Sequence, residues 1–342
     1  KYEKTDFTRK TDPVPRVISP RDPRYNVEVG RYLRPIEERI FDALGAMFGH
    51  RTVFKGMNAL SSGRCMAEKW SMFKDPVAVS LDASRFDQHV SRDALEWEHG
   101  IYLKCFPRLR QRRALRRLLR WQLANTCSGY TPDGKLRYTV DGGRMSGDMN
   151  TSLGNCVLMC SMIHAYLADR RVNAQLANNG DDCVVIMERR DLHRFSRGLG
   201  GWFENMGFNM VVESPVYDIE GIEFCQTRPV WVGPGALDYL MVRHPKWAIA
   251  RDTLSVHPLD TEKMFRGWLD AVGQGGLAMT GSVPIFQDFY SSYIRCGKVL
   301  KSMASGQSWG VRSLGRGMKR VYGPVSPYTR YSFWLAFGVT PD

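Results

Sequence analysis

The sequence predicts an α+β protein in which antiparallel strand pairs alternate with helices. Three features support this: a hairpin turn at Asp133 and Gly134, short apolar strands around residues 178–182, and helical periodicity over much of the remaining chain. Strands joined by tight turns pair antiparallel, whereas parallel strands need long crossovers. With 342 residues the chain is long enough for two or three subdomains around one centre.

The elements follow one another in a regular order. The first 35 residues are rich in basic residues and prolines, which predicts an extended basic loop. Apolar periodicity then predicts helices at residues 35–48, 62–74, 92–122 and 191–206, and a long helix that opens after the glycine-rich loop 142–147. The predicted strands lie at residues 77–81, 135–140 and 210–212, near 178–182, and in a hairpin-like run at 222–232, before a mainly helical remainder.

The charge balance favours a polyanionic partner. The chain carries 48 basic and 35 acidic residues, giving a formal net charge of +13. Its eight cysteines include no C-x-x-C pair, which fits reduced thiols better than a disulfide framework. We find no apolar stretch that approaches the roughly 18 residues of a membrane span, so we expect no transmembrane segment in this chain.

Two segments carry aspartates beside apolar strands. Asp82 ends the strand at residues 77–81, and Asp87 follows five residues later. Asp181 and Asp182 follow Gly180 in a polar turn that glycine makes accessible. Carboxylates about 4 Å apart repel by roughly 4 kcal/mol at an effective dielectric of about 20, so bringing them together requires a cation. Oxygen ligands select a hard ion, so we predict that Asp82, Asp181 and Asp182 hold magnesium or manganese.

These segments resemble the palm motifs of positive-strand RNA virus polymerases, and tombusvirus and carmovirus replicases in particular. The first motif contains Asp82 and Asp87, the second spans residues 146–155, and the third is Gly180, Asp181 and Asp182. Residues 15–28 resemble the basic finger loop that grips the nucleoside triphosphate, and residues 222–229 the motif on the primer side. Enzymes of this kind use two metal ions to activate a 3′-hydroxyl and stabilise the leaving pyrophosphate.

The resemblance implies roles for the remaining candidate residues. The catalytic and metal-binding residues are Asp82, Asp181 and Asp182, with two Mg²⁺ ions that Mn²⁺ can replace. The nucleotide-binding residues are Arg16, Arg21, Asp87, Ser146, Thr151 and Asn155, of which Asp87 and Asn155 are suited to bind the ribose 2′-hydroxyl. The template and primer contacts are Gly147, Gly180, Cys225 and Gln226, together with Arg113 and Arg116 on a cationic amphipathic segment. Three of these assignments have structural alternatives. Arg16 and Arg21 can pair with Asp22 or Glu28, Asn155 can cap or bridge within the palm, and the arginine-rich segment that carries Arg113 and Arg116 can be a solvated face paired with local acids.

The family also implies a right-hand polymerase of fingers, palm and thumb, with an antiparallel palm sheet. On this basis residues 1–74 are partial fingers with the basic loop, 75–95 palm, 96–140 a fingers insertion, 141–230 palm and 231–342 thumb. The expected partners are template and nascent RNA, ribonucleoside triphosphates, a viral auxiliary protein and host factors. The expected location is a membrane-associated replication complex in the host cytoplasm, anchored through regions outside this chain.

Two other interpretations remain open at this point. A reverse transcriptase shares the palm and paired aspartates, but usually has an aromatic residue where Gly180 stands. A non-catalytic scaffold would bind RNA through the same basic surface, with no need for Asp82, Asp181 and Asp182 to face a polyanion. Retention of RNA binding in the presence of a chelator would identify a scaffold.

Overall fold

The computed structural model describes residues 2–4, 16–255, 258–299 and 315–340 of this chain, and it confirms an α+β fold with antiparallel strand pairs. In chain order the first elements are β1 (Tyr2–Lys4), β2 (Arg16–Ile18), α1 (Pro23–Leu33), α2 (Glu37–Phe48), α3 (Ala59–Ser71), β3 (Pro76–Ala83), α4 (Phe86–His89), α5 (Arg92–Lys104), α6 (Leu109–Arg120), β4 (Ala124–Thr131), β5 (Gly134–Asp141) and α7 (Thr151–Arg170). They are followed by β6 (Ala174–Asn178), β7 (Cys183–Glu188), α8 (Leu192–Ser196), α9 (Leu199–Asn205), β8 (Met210–Val212), β9 (Thr227–Trp231), β10 (Tyr239–Arg243), α10 (Pro245–Asp252), α11 (Glu262–Thr280), α12 (Phe286–Cys296) and α13 (Pro327–Phe337).

The chain divides into two compact units. The first unit contains residues 1–53 and 79–214, and the second contains residues 54–78 and 215–342. All three catalytic aspartates predicted from the sequence belong to the first unit. The division into fingers, palm and thumb therefore stays a prediction at the level of residue boundaries.

A four-stranded sheet in the order β6-β7-β3-β8 belongs to the first unit, except for residues 76–78 at the start of β3. The predicted strand pair near residue 180 is confirmed, because β6 and β7 pair antiparallel with Asn178 opposite Cys183. The predicted strand at 210–212 is β8, which pairs antiparallel with the end of β3. Residues 183–187 of β7 and 77–81 of β3 are buried, so the sheet is a rigid support for the turns at its ends.

Helix α7 is the long helix predicted after the glycine-rich loop. It is long and apolar enough to cross a membrane by length and composition, which our sequence analysis did not anticipate. However, 61% of its apolar window is buried inside the protein, and Met159, Ile163 and Tyr166 are fully buried. Such burial is typical of the core helix of a globular protein.

Two predicted helices are each divided in the structure. Residues 92–122 form α5 and α6, separated at Pro107, which lacks a backbone N–H and disfavours a helical conformation before it. Residues 191–206 form α8 and α9, separated where Gly198 adopts a φ of +73°. The predicted hairpin at Asp133 is confirmed, because β4 and β5 pair antiparallel in register from Ala124 opposite Asp141 onward.

The prediction of an entirely extended N-terminal segment was wrong for residues 23–33. Pro23 occupies the start of α1, where its fixed φ and missing N–H suit the first turn of a helix. Asp22 caps this helix, since its side-chain oxygen accepts a hydrogen bond of 2.8 Å from the backbone N–H of Arg24. Pro23 therefore marks the beginning of a helix, and residues 5–15 lie outside the described residues.

The second unit pairs β9 with β10 in an antiparallel hairpin, with Trp231 opposite Tyr239. The run predicted as hairpin-like at residues 222–232 thus contributes the five-residue strand β9, whose partner β10 lies further along the chain. Helix α3 packs closely on β10, where a Cβ on Gly63 would lie 2.1 Å from the backbone oxygen of Tyr239. In the described part of the predicted helical remainder, the strand β10 was not predicted and is followed by α10 to α13, with α11 and α12 packed together.

Candidate active site

A tight turn between β6 and β7 presents two of the three aspartates. The backbone N–H of Asn179 donates to the carbonyl oxygen of Asp182 over 2.9 Å. The Asn178 side chain braces the same turn, because its Nδ2 donates to the Gly180 oxygen over 2.7 Å and its Oδ1 accepts from the Gly180 N–H over 3.1 Å. Gly180 has a φ of +99°, which side-chain-bearing residues rarely adopt. The conformation of this turn is therefore fixed by the Asn179–Asp182 backbone hydrogen bond and by the Asn178 side chain.

Asp82 lies on β3, the neighbour of β7 in the sheet. It is exposed, although residues 77–81 and Ala83 around it are buried. Its register partner on the other side is Val211 of β8. Asp82 is therefore a carboxylate on a strand that is fixed from both sides, and it lies within the strand rather than at its end as the sequence predicted.

The three carboxylates lie on or directly before adjacent strands, near the buried thiol of Cys183. Burial raises the pKa of this thiol well above its usual value, and the negative charges of Asp182, Asp181 and Asp82 raise it further. Asp181 and Asp182 directly precede β7, and Asp82 lies on the neighbouring strand β3, so the charges of all three act on the same buried sulfur. Three carboxylates offer oxygen ligands only, so this donor set fits a hard divalent cation.

Asp87 lies beside this acidic cluster and is bonded to Asn155 of α7. The Asn155 Nδ2 donates to the Asp87 Oδ1 over 2.8 Å. Burial raises the pKa of the Asp87 carboxyl; the Asn155 hydrogen bond and Arg144 oppose that effect, and the nearby charges of Asp181 and Asp148 add to it. The structure thus joins the two residues that the sequence assigned to the ribose, and it also contains the bridge within the protein that was the alternative for Asn155.

The basic loop before α1 lies against the loop before α7. The backbone N–H of Ser19 donates to the Ser146 Oγ over 2.9 Å, and the Gly147 N–H donates to the Ser19 oxygen over 3.1 Å. Asn26 on α1 adds a hydrogen bond of 3.2 Å to the Gly147 oxygen. A Cβ on Gly147 would lie 2.5 Å from the Ser19 oxygen, so only glycine allows this approach. The basic loop and the loop before α7, both predicted to contact the nucleotide, are therefore held together by hydrogen bonds.

Arg21 is paired with Asp148. Its Nε lies 2.5 Å from Oδ1 and its Nη2 lies 3.2 Å from Oδ2 of that carboxylate. The alternatives foreseen from the sequence are not formed by Arg21, since Asp22 caps α1 and Glu28 pairs with Arg31. The predicted partner of Arg21 in the triphosphate site, Arg16, has its backbone in β2, and its side chain lies outside the described residues.

Thr151 uses its hydroxyl within the protein. Its Oγ1 lies 2.8 Å from the carbonyl oxygen of Met145 and 2.9 Å from that of Asp148. This contact joins the first residue of α7 to the loop before it. Thr151 therefore supports the conformation of the predicted template loop, and it lies one helical turn before Asn155.

The other residues predicted to contact template or primer lie on α6 and in a turn of the second unit. Arg113 and Arg116 are exposed on α6, whose buried side carries Leu115, Leu118 and Leu119. In the part of the chain that the structure describes, neither arginine forms an ion pair with a carboxylate. Cys225 and Gln226 belong to the second unit, where both have positive φ in a turn closed by two hydrogen bonds between Phe224 and Thr227.

A buried polar cluster that was not predicted from the sequence lies beside Asn155. The side chains of Glu98 and Arg144 form an ion pair with no solvent exposure at either residue. The hydrogen bonds of Glu98 extend to Tyr102 and Asn150, and Asn150 accepts a further one of 2.7 Å from Gln122. The sequence did carry one sign of this buried charge, because Glu98 falls between Leu95 and Tyr102 on the apolar side of α5.

Comparison with known proteins identifies the family of this chain. A family model described as viral RNA-dependent RNA polymerase matches residues 1–342. The chain is 56% identical over 353 residues to the RNA-directed RNA polymerase of oat chlorotic stunt virus, covering 100% of this chain and 46% of the relative. It is 46% identical over 345 residues to that of tobacco necrosis virus strain A, covering 100% of this chain and 47% of the relative. It is 43% identical over 341 residues to the RNA-directed RNA polymerase of tomato bushy stunt virus strain Cherry, covering 98% of this chain and 40% of the relative. The chain therefore spans about half the length of these relatives.

Proposed function

The chain belongs to the family of viral RNA-dependent RNA polymerases, and from this membership we propose that it catalyses template-directed RNA synthesis in the replication of a positive-strand RNA virus. The resemblance to tombusvirus replicases is confirmed by relatives that include those of tomato bushy stunt virus and Cymbidium ringspot virus. The observation that carries the proposal is the placement of the three aspartates: Asp181 and Asp182 lie directly before β7, Asp82 lies on the neighbouring strand β3, and all three charges act on the Cys183 thiol. Such a cluster of negative charge is unfavourable beside RNA unless it holds cations.

The proposed architecture is a right-hand polymerase. The sheet β6-β7-β3-β8 would be the palm, since it carries the acidic cluster. The proposed boundaries are fingers at residues 1–74, palm at 75–95 and 141–230, a fingers insertion at 96–140 and thumb at 231–342. The hydrogen bonds between the basic loop and residues 146–147 support placing this part of the fingers beside the palm in the first unit, whereas residues 54–74 belong to the second unit.

The acidic cluster would perform the chemistry through divalent metal ions, for which we propose two Mg²⁺ ions with Mn²⁺ as a substitute. Asp82 and Asp181 would ligate both ions, and Asp182 would bind one of them or adjust the charge of the site. When bound, the ions activate the primer 3′-hydroxyl and stabilise the leaving pyrophosphate. Because Asp82 and Asp181 are exposed and lie on fixed backbone, little reorganisation is needed to bind the ions.

Residues around Asp87 would select ribonucleotides by binding the ribose. Its carboxylate accepts from Asn155 at Oδ1, so Oδ2 is the oxygen we assign to the ribose 2′-hydroxyl. Ser146 and Gly147 would position the template side of this pocket, with Thr151 holding the loop in place. Arg16 and Arg21 would bind the triphosphate, Arg113 and Arg116 the template, and Cys225 and Gln226 the primer.

The proposed partners follow from this activity. They are template RNA, nascent RNA and ribonucleoside triphosphates, and, by analogy with the family, a viral auxiliary protein and host factors. The proposed location is a membrane-associated replication complex in the host cytoplasm. Anchoring through regions outside this chain accords with the burial of α7 in the described structure.

Extension of a labelled RNA primer on an RNA template tests the proposal directly. We expect the chain to extend the primer with Mg²⁺ and ribonucleotides, and the Asp181→Asn variant to be inactive with unchanged or slightly tighter RNA binding. Asp133→Asn, at the exposed tip of the β4–β5 hairpin, is the matched control and should retain activity. RNA binding that is insensitive to a chelator, without extension by this chain or by one extended at its N-terminus, would indicate a scaffold instead.

A further inference from the structure

We propose that Arg144, held by Glu98, is a positioning residue for ribose recognition: it fixes the Asn155 carboxamide so that its nitrogen faces Asp87. This inference rests on the proposed function of the site, and it adds residues that the polymerase motifs quoted above do not assign to the ribose. Arg144 lies in the loop before α7, and Glu98 lies on α5. Both side chains are fully buried, so neither can contact a nucleotide itself.

The orientation of the Asn155 side chain is set from both ends. The Arg144 Nε donates to the Asn155 Oδ1 over 2.9 Å, and the Asn155 Nδ2 donates to the Asp87 Oδ1 over 2.8 Å. A guanidinium can only donate and a carboxylate can only accept, so a carboxamide between them has one favourable orientation. Reversing the amide would place its NH₂ against the guanidinium and its oxygen against the carboxylate. The Arg144 contact thus keeps the Asn155 nitrogen on Asp87.

Glu98 fixes Arg144 in turn. The Arg144 Nη1 lies 3.2 Å from the Glu98 Oε1, and Nη2 donates to Oε2. The Glu98 Oε1 also accepts from the Tyr102 hydroxyl over 2.7 Å and from the Asn150 Nδ2 over 2.9 Å. Burial alone would raise the pKa of the Glu98 carboxyl, but Arg144 and Tyr102 outweigh that effect and lower it. The pair is therefore ionised and held by several bonds.

Close packing leaves the ion pair no alternative position. Gly154 of α7 lies directly against it, since a Cβ there would approach the Glu98 Oε1 to 2.4 Å and the Arg144 Nη2 to 2.5 Å. Gly154 immediately precedes Asn155 in the chain. The backbone that presents Asn155 and the ion pair that orients its amide are consequently positioned by the same contact.

The planar fork of arginine is required for this arrangement. Arg144 uses Nε for Asn155 and both terminal nitrogens for Glu98, which are three donors in fixed relative positions. Lysine presents a single nitrogen and cannot occupy all three positions. Arg144→Lys therefore keeps the buried positive charge beside Glu98 while removing the donor to Asn155.

The test measures ribose preference as a ratio of dissociation constants. The probes are a non-hydrolysable ribonucleoside triphosphate and its 2′-deoxy counterpart, each bound to the whole chain with Mg²⁺ and a primed RNA template. We expect Arg144→Lys to lower the preference for ribose about tenfold, as for loss of one oriented hydrogen bond. Asn155→Ala should lower it at least as much, and adding Arg144→Lys to Asn155→Ala should lower it no further, because Arg144 acts through Asn155.

A matched control comes from another partly buried ion pair. Arg243 binds Asp252 through two nitrogens, at 3.1 Å and 2.6 Å, in the second unit. Arg243→Lys should lower the melting temperature without changing the ribose preference. Glu98→Gln combined with Arg144→Met provides a second variant in which the pair carries no buried charge, and the new amide oxygen still accepts hydrogen bonds from Tyr102 and Asn150. It should show the same loss of preference as Arg144→Lys.

The outcomes separate this inference from the proposed function. Primer extension by the wild-type chain tests the polymerase activity, whereas the binding ratio is measured without turnover. A folded Arg144→Lys or double variant with the wild-type preference would overturn the inference, whether or not the chain extends primers. So would a wild-type chain that binds both nucleotides equally, or a further loss when Arg144→Lys is added to Asn155→Ala.

Discussion

Arg21 and Asp148 form a two-bonded ion pair that ties the basic loop to the turn before α7. The Asp148 side chain is only 2% exposed, and that of Arg21 is 18% exposed. The pair is reinforced by Tyr25, whose ring lies 5.7 Å from the Arg21 guanidinium carbon. A pair of this geometry and burial contributes more than the usual surface ion pair. By holding the basic loop against this turn, the pair helps to fix the shape of the predicted triphosphate site.

Substitution of either partner should weaken nucleotide binding. We expect Arg21→Lys and Asp148→Asn each to raise the KM for ribonucleotides several-fold, because each weakens the attachment of the basic loop to the turn. The double variant should be no worse than the more damaging single variant, since both remove one interaction. Steady-state kinetics and thermal melting measure this; Arg31→Lys, whose pair with Glu28 is exposed, is the control. Strictly additive effects would show that Arg21 binds phosphate independently of Asp148.

Gly154→Ala should destabilise the protein although it lies inside a helix. Alanine normally stabilises a helix interior by about 0.5–1 kcal/mol relative to glycine. Here the added Cβ meets the buried Glu98 and Arg144 side chains, so we expect a loss of about 1–3 kcal/mol. Gly100→Ala on α5 is the control, because its Cβ would have no atom within 4 Å, and it should be neutral or stabilising. Chemical denaturation compares the two variants, and equal effects would contradict the packing described.

The ionisation of Glu98 should make stability depend on acid pH. Burial acts to raise its pKa in the folded protein, but Arg144 and Tyr102 outweigh burial, so the folded pKa is lowered. A lowered folded pKa contributes stability that is present above the unfolded pKa of about 4.3 and is lost as the pH falls through the folded pKa. Glu98→Gln should cost about 3–5 kcal/mol at neutral pH by leaving Arg144 unpaired.

The measurement is the free energy of unfolding of wild-type and Glu98→Gln protein between about pH 3 and pH 7. The difference between them should shrink toward the acid end, where the wild-type carboxyl becomes protonated. Glu96→Gln on the same helix is the control, since Glu96 is 52% exposed beside Arg92 and should have little effect at any pH. A difference that stays constant with pH would mean that Glu98 is not ionised in the folded protein.

Removal of Arg116 should reduce the salt dependence of RNA binding. If this exposed residue of α6 contacts one phosphate of a single strand, Arg116→Ala should flatten the logarithmic salt slope by about 0.7. Arg113→Ala should behave in the same way. Arg39→Ala, an exposed arginine on α2, is the control and should leave the slope unchanged. Unaltered slopes in both α6 variants would make that helix a solvated surface.

Most of the acidic site could be predicted from local sequence. The turn at Gly180 and the strands beside it follow from short-range rules on glycine, polar turns and apolar strands. The confirmed pairing of β6 with β7 places Asp181 and Asp182 at its tip without any long-range information. Helix boundaries were less accurate, because Pro107 and Gly198 each divided a predicted helix and Pro23 began one that was not expected.

Contacts between distant segments were beyond the reach of the sequence. Arg21 has Asp22 and Glu28 as near neighbours in the chain, yet it pairs with Asp148, which is 127 residues away. Glu98 and Arg144 are separated by 46 residues, and neither lies in the polymerase motifs quoted from the sequence. Ion pairs of this kind depend on which side chains become buried together, and local periodicity does not specify that choice.

The sequence by itself determined the α+β class, the three aspartates and the family resemblance, because these depend on residue types at short fixed spacings. Tertiary structure alone decided that Asn155 lies between Arg144 and Asp87, and that two predicted nucleotide loops are fastened at Gly147. Burial explains the difference. A charged or amide group removed from water must find partners wherever the fold provides them, and those partners then fix its orientation.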